Sequence, residues 1–333
     1  MESFEQTASG NSMEIYDLAY YEQAKIDRGN PLLGLGAGDS SVFLNVLSAD
    51  LQAELFEKLD AEIDWNIMTH KGGPVPRLIS IQAESTIGGC FPLYRHPADE
   101  QPATINFTHT AQRCREEVSA VLGQRFNHAL IQKYRNGKDN ISEHADKTLD
   151  IERGTVIVNL SVGSSRVMIL KSKPDHPHVT NDGPESSKIV QKITLPPNSV
   201  FVLGWQTNLL FTHQIKADKR AAWEKRPDER LYNEQRISLT FRSIATFISP
   251  DGIIFGQGAK NKIVPDIFRP VPDLTNHAAA SDETDQNGIL NKQEEESIEL
   301  LKAFSVENRS ALFDWDAYYG QGFDVVNFNI VNK

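Results

Sequence analysis

The spacing of apolar residues along this chain changes near residue 129. Ahead of that point Leu51, Leu55, Phe56 and Leu59 recur at helical intervals, with Ser48 placed as an N-cap. A second helix is predicted over residues 111–122, stopped by Gly123. Beyond 129 the pattern shortens to strand-like runs at 129–134, 155–162, 166–170, 200–203, 209–211 and 237–241. Turn-forming residues separate them, among them Asn136-Gly137, Gly163-Ser164 and Pro196-Pro197-Asn198. Helices followed by many short strands predict an α+β fold with a sandwich- or barrel-like core.

The flanks are patterned less clearly. Residues 1–40 are polar and Gly-rich and are expected to form a loosely packed arm. Residues 41–250 carry the domain, and 251–333 form an extension. In that extension 272–296 reads as a polar, acidic loop, 298–304 as helical and 313–320 as an aromatic-rich segment. Its aromatic residues, from Phe304 to Phe323, are expected to pack on the core. No internal repeat is visible.

Composition narrows the class. The net charge is -11, and residues 251–333 hold 14 of the 45 acidic side chains against 7 of the 34 basic ones. That is not the basic footprint of a tight nucleic-acid binder. No apolar run reaches the roughly 18 residues of a membrane span, and the N-terminus lacks a secretory pattern. With only Cys90 and Cys114 present, free thiols in a reducing compartment are expected, which places the protein inside the cell, in nucleus or cytoplasm. A monomer is expected.

The chemistry is concentrated in Glu143-His144-Ala145-Asp146 and in the later Thr212-His213. Residues i and i+2 of an extended segment point to the same side, so His144 and Asp146 can present an imidazole and a carboxylate together. With His213 from another strand they would form a two-His, one-carboxylate face for Fe(II), leaving three positions open for a bidentate keto-acid and O2. Taken alone the motif is short, and its bland reading is a structural histidine beside a surface aspartate. His176-Pro-His178 is a competing pair, expected in an exposed loop. Downstream, Arg236-Ile-Ser-Leu-Thr-Phe-Arg242 alternates as a strand. Arg236, Ser238, Thr240 and Arg242 share one face, and two inward-facing guanidinium groups call for anions.

Residues 130–146, Asn159-Leu-Ser-Val-Gly-Ser-Ser-Arg166, Thr212-His213 and Arg236 to Arg242 resemble the AlkB family of 2-oxoglutarate dioxygenases. Pro76-Arg77 and Tyr94 stand where that family has substrate-side elements. The resemblance covers roughly residues 40–250. It implies a double-stranded β-helix (jelly roll) with iron at one mouth. It further implies that His144, Asp146 and His213 hold Fe(II), that Tyr134 and Arg236 hold the far carboxylate of 2-oxoglutarate, and that Arg242 holds the end near the metal. Gln132 and Ser238 stand where the family often has Asn. A Tyr-Gly pair usual after Pro-Arg is replaced by Ser80-Ile-Gln-Ala-Glu84.

The activity so implied is oxidative N-demethylation of alkylated bases in DNA or RNA. The alternatives are a small metabolite or a protein side chain as substrate, or a binding module without turnover. Arg77 and Tyr94 are expected at the substrate entrance. Lys133, Arg135, Lys138, Arg153, Lys171, Lys173, Lys216, Lys219 and Arg220 are the basic residues from which a phosphate-binding surface could be built.

Overall fold

Two β-sheets face each other in the computed structural model, which describes residues 14–16, 32–70, 73–86, 88–98, 101–177, 188–263 and 286–326. The larger has eight strands: Leu32–Leu35 (β2), Ser40–Leu44 (β3), Leu78–Ala83 (β6), Thr104–Ile105 (β8), His128–Tyr134 (β9), Ile157–Gly163 (β11), Ser199–Leu203 (β14) and Arg236–Arg242 (β16). Their order is β2-β3-β14-β11-β16-β9-β6-β8. The smaller sheet contains Glu14–Tyr16 (β1), Ile141–His144 (β10), Arg166–Ser172 (β12), Val190–Leu195 (β13) and Phe211–Ile215 (β15), in the order β1-β13-β12-β15-β10. Neighbours are antiparallel except β1/β13 and β6/β8. Two minor sheets are formed by Thr69–His70 (β4) with Gly73–Pro74 (β5), and by Phe91–Pro92 (β7) with Thr246–Ile248 (β17) and Ile254–Gly256 (β18).

Strand alternation sends each face of the large sheet to a different core. Ile131, Val158, Leu160, Val200, Ile237, Leu239 and Phe241 pack on one side against helices Ala49–Gln52 (α1), Leu55–Glu62 (α2) and His109–Leu122 (α3). On the other side Ile157, Phe201, Leu203 and Tyr134 meet Met168, Leu170, Ile193 and Ile215 of the small sheet. The functional cavity lies between the sheets.

Several boundaries depart from the sequence expectation. The helix expected from Ser48 is two helices, because Glu54 takes φ 58 between α1 and α2. Helix α3 ends as expected, with Gly123 at φ 66. The strand expected at 209–211 is instead the end of a helix, Trp205–Leu210 (α4), followed by β15. That helix forms because the Asp39 carboxylate accepts the Gln206 and Thr207 N–H groups at 2.7 and 3.1 Å, satisfying first-turn donors. Within the arm expected at 1–40, β1 and β2 join the sheets and Leu35 is fully buried.

The largest correction concerns the C-terminal segment. Residues 286–296, expected in a loop, begin one long helix, Gln286–Arg309 (α5). Gln, Lys, Glu and Leu are strong helix formers, and residues 292–295 of the polar run are exposed. Residues 272–285 lie outside the described residues. Leu300, Ala303 and Phe304 of α5 pack with Leu149, Phe313, Phe323 and Tyr319 of the short helix Trp315–Tyr319 (α6). Arg95 fixes this unit in place. It forms a fully buried ion pair with Asp150 at 2.6 Å and donates to the carbonyls of Phe323 and Gly258 at 2.6 and 2.9 Å. No helix among the described residues is long and apolar enough to cross a membrane.

Candidate metal centre

Strands β10 and β15 pair so that His144 lies directly opposite His213. Their rings are 4.3 Å apart, centroid to centroid. Strand β10 ends at His144, and the next turn brings the Asp146 Oδ1 to 3.7 Å from His144 Nε2 and 4.0 Å from His213 Nε2. Ligand atoms of the three residues all lie within 4.8 Å of one another, the one such His, Cys or carboxylate group among the described residues. A single transition-metal ion fits that spacing.

The protonation states suit a metal as well. Burial, reinforced by His213, pushes His144 down to about 3, and burial lowers His213 too, so both imidazoles are neutral donors. Burial opposes ionisation of Asp146, but the Arg242 guanidinium beside it outweighs burial and holds the carboxyl below its usual range. His144 Nδ1 lies 2.8 Å from the Ser142 carbonyl oxygen and donates to it, which leaves the Nε2 lone pair aimed at the centre.

Asp146 stands outside any ladder, so its main chain needs other partners. Asn208 of α4 supplies both: its Oδ1 accepts the Asp146 N–H at 3.0 Å, and its Nδ2 donates to the Asp146 carbonyl at 2.9 Å. Arg242 holds the side chain, with Nε and Nη2 donating to Oδ2 at 3.1 and 2.7 Å. The Tyr94 ring lies 4.2 Å beneath that guanidinium. Arg242 Nη1 is buried with no partner.

Arg236 is fully buried and faces Tyr134 across the β16/β9 ladder, its guanidinium 5.3 Å from the Tyr134 ring. Its Nη2 donates to Asn159 Oδ1 at 2.8 Å and Ser161 Oγ at 2.7 Å, while Nε and Nη1 have no partner. Burial lowers its pKa to about 10, so it is a cation at neutral pH. A buried cation lacking a carboxylate is costly until an anion meets it. Two such guanidinium groups with unused N–H donors, one touching the metal-ligand carboxylate and one deeper, fit a small dicarboxylate.

A cavity of about 500 Å³ joins the metal centre to Arg242 and reaches Tyr134 and Asn159, the neighbours of Arg236, which itself lies behind the lining. Gln132, Tyr134, Arg77 and Tyr94 line it with the three metal-centre residues and Arg242. The Tyr134 hydroxyl is 3.5 Å from Gln132 Oε1. Ser238 is buried beside Asn159, whose Nδ2 donates to its Oγ at 3.2 Å, so it supports the wall from behind. The sequence put Asn159 in a family-like stretch but gave it no role; it joins Arg236 to Ser238 and Thr240. Lys147 and, from α5, Leu301, Ser305, Asn308 and Arg309 had no expected role, and Phe304 was expected only to pack on the core; all of them line the cavity. In sequence Asn159 was a polar residue inside an apolar strand, a signal that could have been read; the α5 residues carried none.

The expected basic surface takes a different form. Residues 137 and 218 do meet, Asp218 N–H donating to the Gly137 carbonyl at 2.7 Å. Their neighbours are neutralised locally: Arg135 by Asp139, Lys133 by Asp60, Arg220 by Asp218 and Glu229. Lys171 pairs with Glu143 and Arg153 with Asp316, while Lys173 is buried and donates to the Glu307 carbonyl. The cavity lining instead includes Arg77 and Lys147, both buried, and the exposed Arg309, with no carboxylate among the described residues in an ion pair with them. His176, expected in an exposed loop, is buried edge-on against Phe211 at 5.2 Å; His178 lies outside the described residues. Both cysteines are buried and free.

Comparison with known proteins places these features in context. The family model described as the 2OG-Fe(II) oxygenase superfamily matches residues 39–242. DNA oxidative demethylase ALKBH2 of Homo sapiens is 29% identical over 133 residues, 40% of this chain and 45% of that protein. Alpha-ketoglutarate-dependent dioxygenase alkB homolog 3 of Homo sapiens is 31% identical over 123 residues, 37% of this chain and 38% of that protein. The matched region thus spans less than half the length of either relative. Among solved structures, one titled "The structure of OsALKBH1" aligns over 62% of this chain and 96% of that one, with 15% identity and a TM-score of 0.38.

Proposed function

The chain belongs to the 2OG-Fe(II) oxygenase superfamily, as an AlkB-like 2-oxoglutarate-dependent dioxygenase using Fe(II) and O2, and from that premise we propose that it demethylates alkylated nucleic-acid bases. In this reading the facing sheets are a double-stranded β-helix, residues 41–250 are the catalytic domain, and 251–333 are an extension built onto it. His144, Asp146 and His213 hold the iron. Arg236, with Tyr134 beside it, receives the far carboxylate of 2-oxoglutarate through its unused Nε and Nη1. Arg242 offers Nη1 to the near carboxylate while its other nitrogens orient Asp146.

The iron, with 2-oxoglutarate and O2, supplies the oxidation that hydroxylates an N-methyl carbon, yielding succinate and CO2; the resulting hemiaminal releases formaldehyde. The chain's own residues do the rest. Neutral imidazoles keep their lone pairs for the metal. Tyr134, Ile157, Phe201 and Leu203 give the inner cavity a largely apolar lining that limits water. Arg77, Lys147 and Arg309 set positive charge along the cavity of a chain whose net charge is -11.

That local reversal of sign is the observation that carries the substrate assignment, since a nucleic-acid strand presents phosphates to any enzyme that extrudes its base. The names of the curated relatives support it. The overall acidity favours a second reading, a metabolite or protein side chain as substrate. Succinate and formaldehyde release with N-methylated oligonucleotides, against no substrate, separates them. Several-fold stimulation is expected; none, with turnover intact on a methylated peptide or metabolite panel, would overturn the nucleic-acid assignment. His213→Ala is expected to abolish succinate release entirely.

A further inference from the structure

Helix α5 lies outside the residues matched by the family model, yet it reaches the metal centre more directly than most of the matched domain. Asn308, in its last turn, accepts the Ala145 N–H on Oδ1 at 2.8 Å and the Lys147 Nζ on the same oxygen at 3.1 Å. Ala145 is the residue between His144 and Asp146, so this bond anchors the peptide linking two of the three ligands. Next to it, Glu307 is 1% exposed, and its Oε1 accepts the Thr148 N–H at 2.9 Å and the Thr148 hydroxyl at 2.5 Å. Its Oε2 accepts the Tyr319 hydroxyl at 2.7 Å. The segment 145–148 has left β10 and has no ladder of its own. Its backbone donors are satisfied by Asn208 at residue 146, Tyr94 at 147, and α5 at 145 and 148.

Resting on the iron assignment above, we propose that Asn308, supported by Glu307, is a positioning residue for the metal centre, so that the C-terminal helix is a working part of the active site. Only an acceptor oxygen can meet both donors, which fixes the orientation of the Asn308 amide. The bond sets the pitch of the turn that brings Asp146 back toward His144. The same bond network holds the buried Lys147 in the cavity wall, because its ammonium is clasped between Asn308 Oδ1 and the Ala145 carbonyl at 2.9 Å. Phe304 and Ser305, one turn earlier, form the cavity wall. A single helix face therefore sets ligand geometry, cavity charge and substrate space together.

The test is Mn(II) affinity of the full chain, read from the free-ion electron paramagnetic resonance signal, which does not depend on turnover or on substrate identity. Asn308→Ala is expected to raise the Mn(II) dissociation constant about 10-fold, the scale typical of groups that orient metal ligands. Asn308→Asp keeps the acceptor oxygen and is expected to restore most of the affinity. Asn308→Gln moves the oxygen by one methylene and is expected to weaken binding as Ala does; it carries the test should the Ala variant not fold. Lys302→Ala, exposed on the same helix, should match the wild type. Cooperatively melting Ala or Gln variants with wild-type Mn(II) affinity would overturn the proposal. A wild-type chain that binds no Mn(II) would instead overturn the iron assignment on which it rests.

Discussion

At the scale of single residues the metal centre depends on how charges are compensated. Asp146 is neutralised by Arg242, whereas Arg236 keeps two donors without a partner. Arg236→Met removes the cation that 2-oxoglutarate would meet. It is expected to raise KM for 2-oxoglutarate about 10- to 100-fold, the range for losing charge-assisted hydrogen bonds. The thermal stabilisation that 2-oxoglutarate gives the wild type should vanish in parallel; an unchanged shift would reassign the residue. Part of this was readable in the chain: Arg236 and Arg242 sit at a strand spacing that dictates a shared face, whereas Asp146, expected to follow His144 on one extended segment, reaches it through a turn beyond β10. Lys147 and Asn308 were not readable, because their roles come from partners 161 or 163 residues away.

At the scale of elements, β16 divides the labour between its faces. Leu239 is fully buried against the helices, while Thr240 lines the cavity. Leu239→Ala is expected to destabilise the fold by about 2–5 kcal/mol, measured by denaturant titration. The alternation of this strand gave both faces from sequence alone. Helix α5 was only half visible because its first turns are mostly polar and carry a Gly, while its apolar stripe at Leu300, Ala303 and Phe304 comes later. Lys173 ties the same helix to β12 through the Glu307 carbonyl at 2.6 Å, and burial pushes its pKa down to about 8 from 10.5. A depressed lysine binds fewer protons folded than unfolded between those values, so its contribution to stability rises with pH across pH 8 to 10.5. Lys173→Met should lose that segment of the stability–pH curve relative to wild type; parallel curves would contradict the shift.

At the scale of the whole molecule, the sheets and the C-terminal unit share one buried ion pair. All of Arg95's bonds go to Asp150, Gly258 and the 323–325 carbonyls, so removing it strands a fully buried carboxylate. Arg95→Met is expected to cost about 3–5 kcal/mol and to loosen α5 as well as the core. Hydrogen exchange at 296–308 would report the second effect; protection equal to wild type would show that the two units are held independently.

The Asn308 and Glu307 contacts also impose an order of events on biosynthesis. The two sheets can assemble from residues made earlier, but the loop bearing Asp146 stays without two of its anchors until translation has passed residue 308. On the positioning role proposed for Asn308, tight iron capture is expected to be a late step: a nascent chain stalled before that point would carry His144, Asp146 and His213 and still hold a metal loosely.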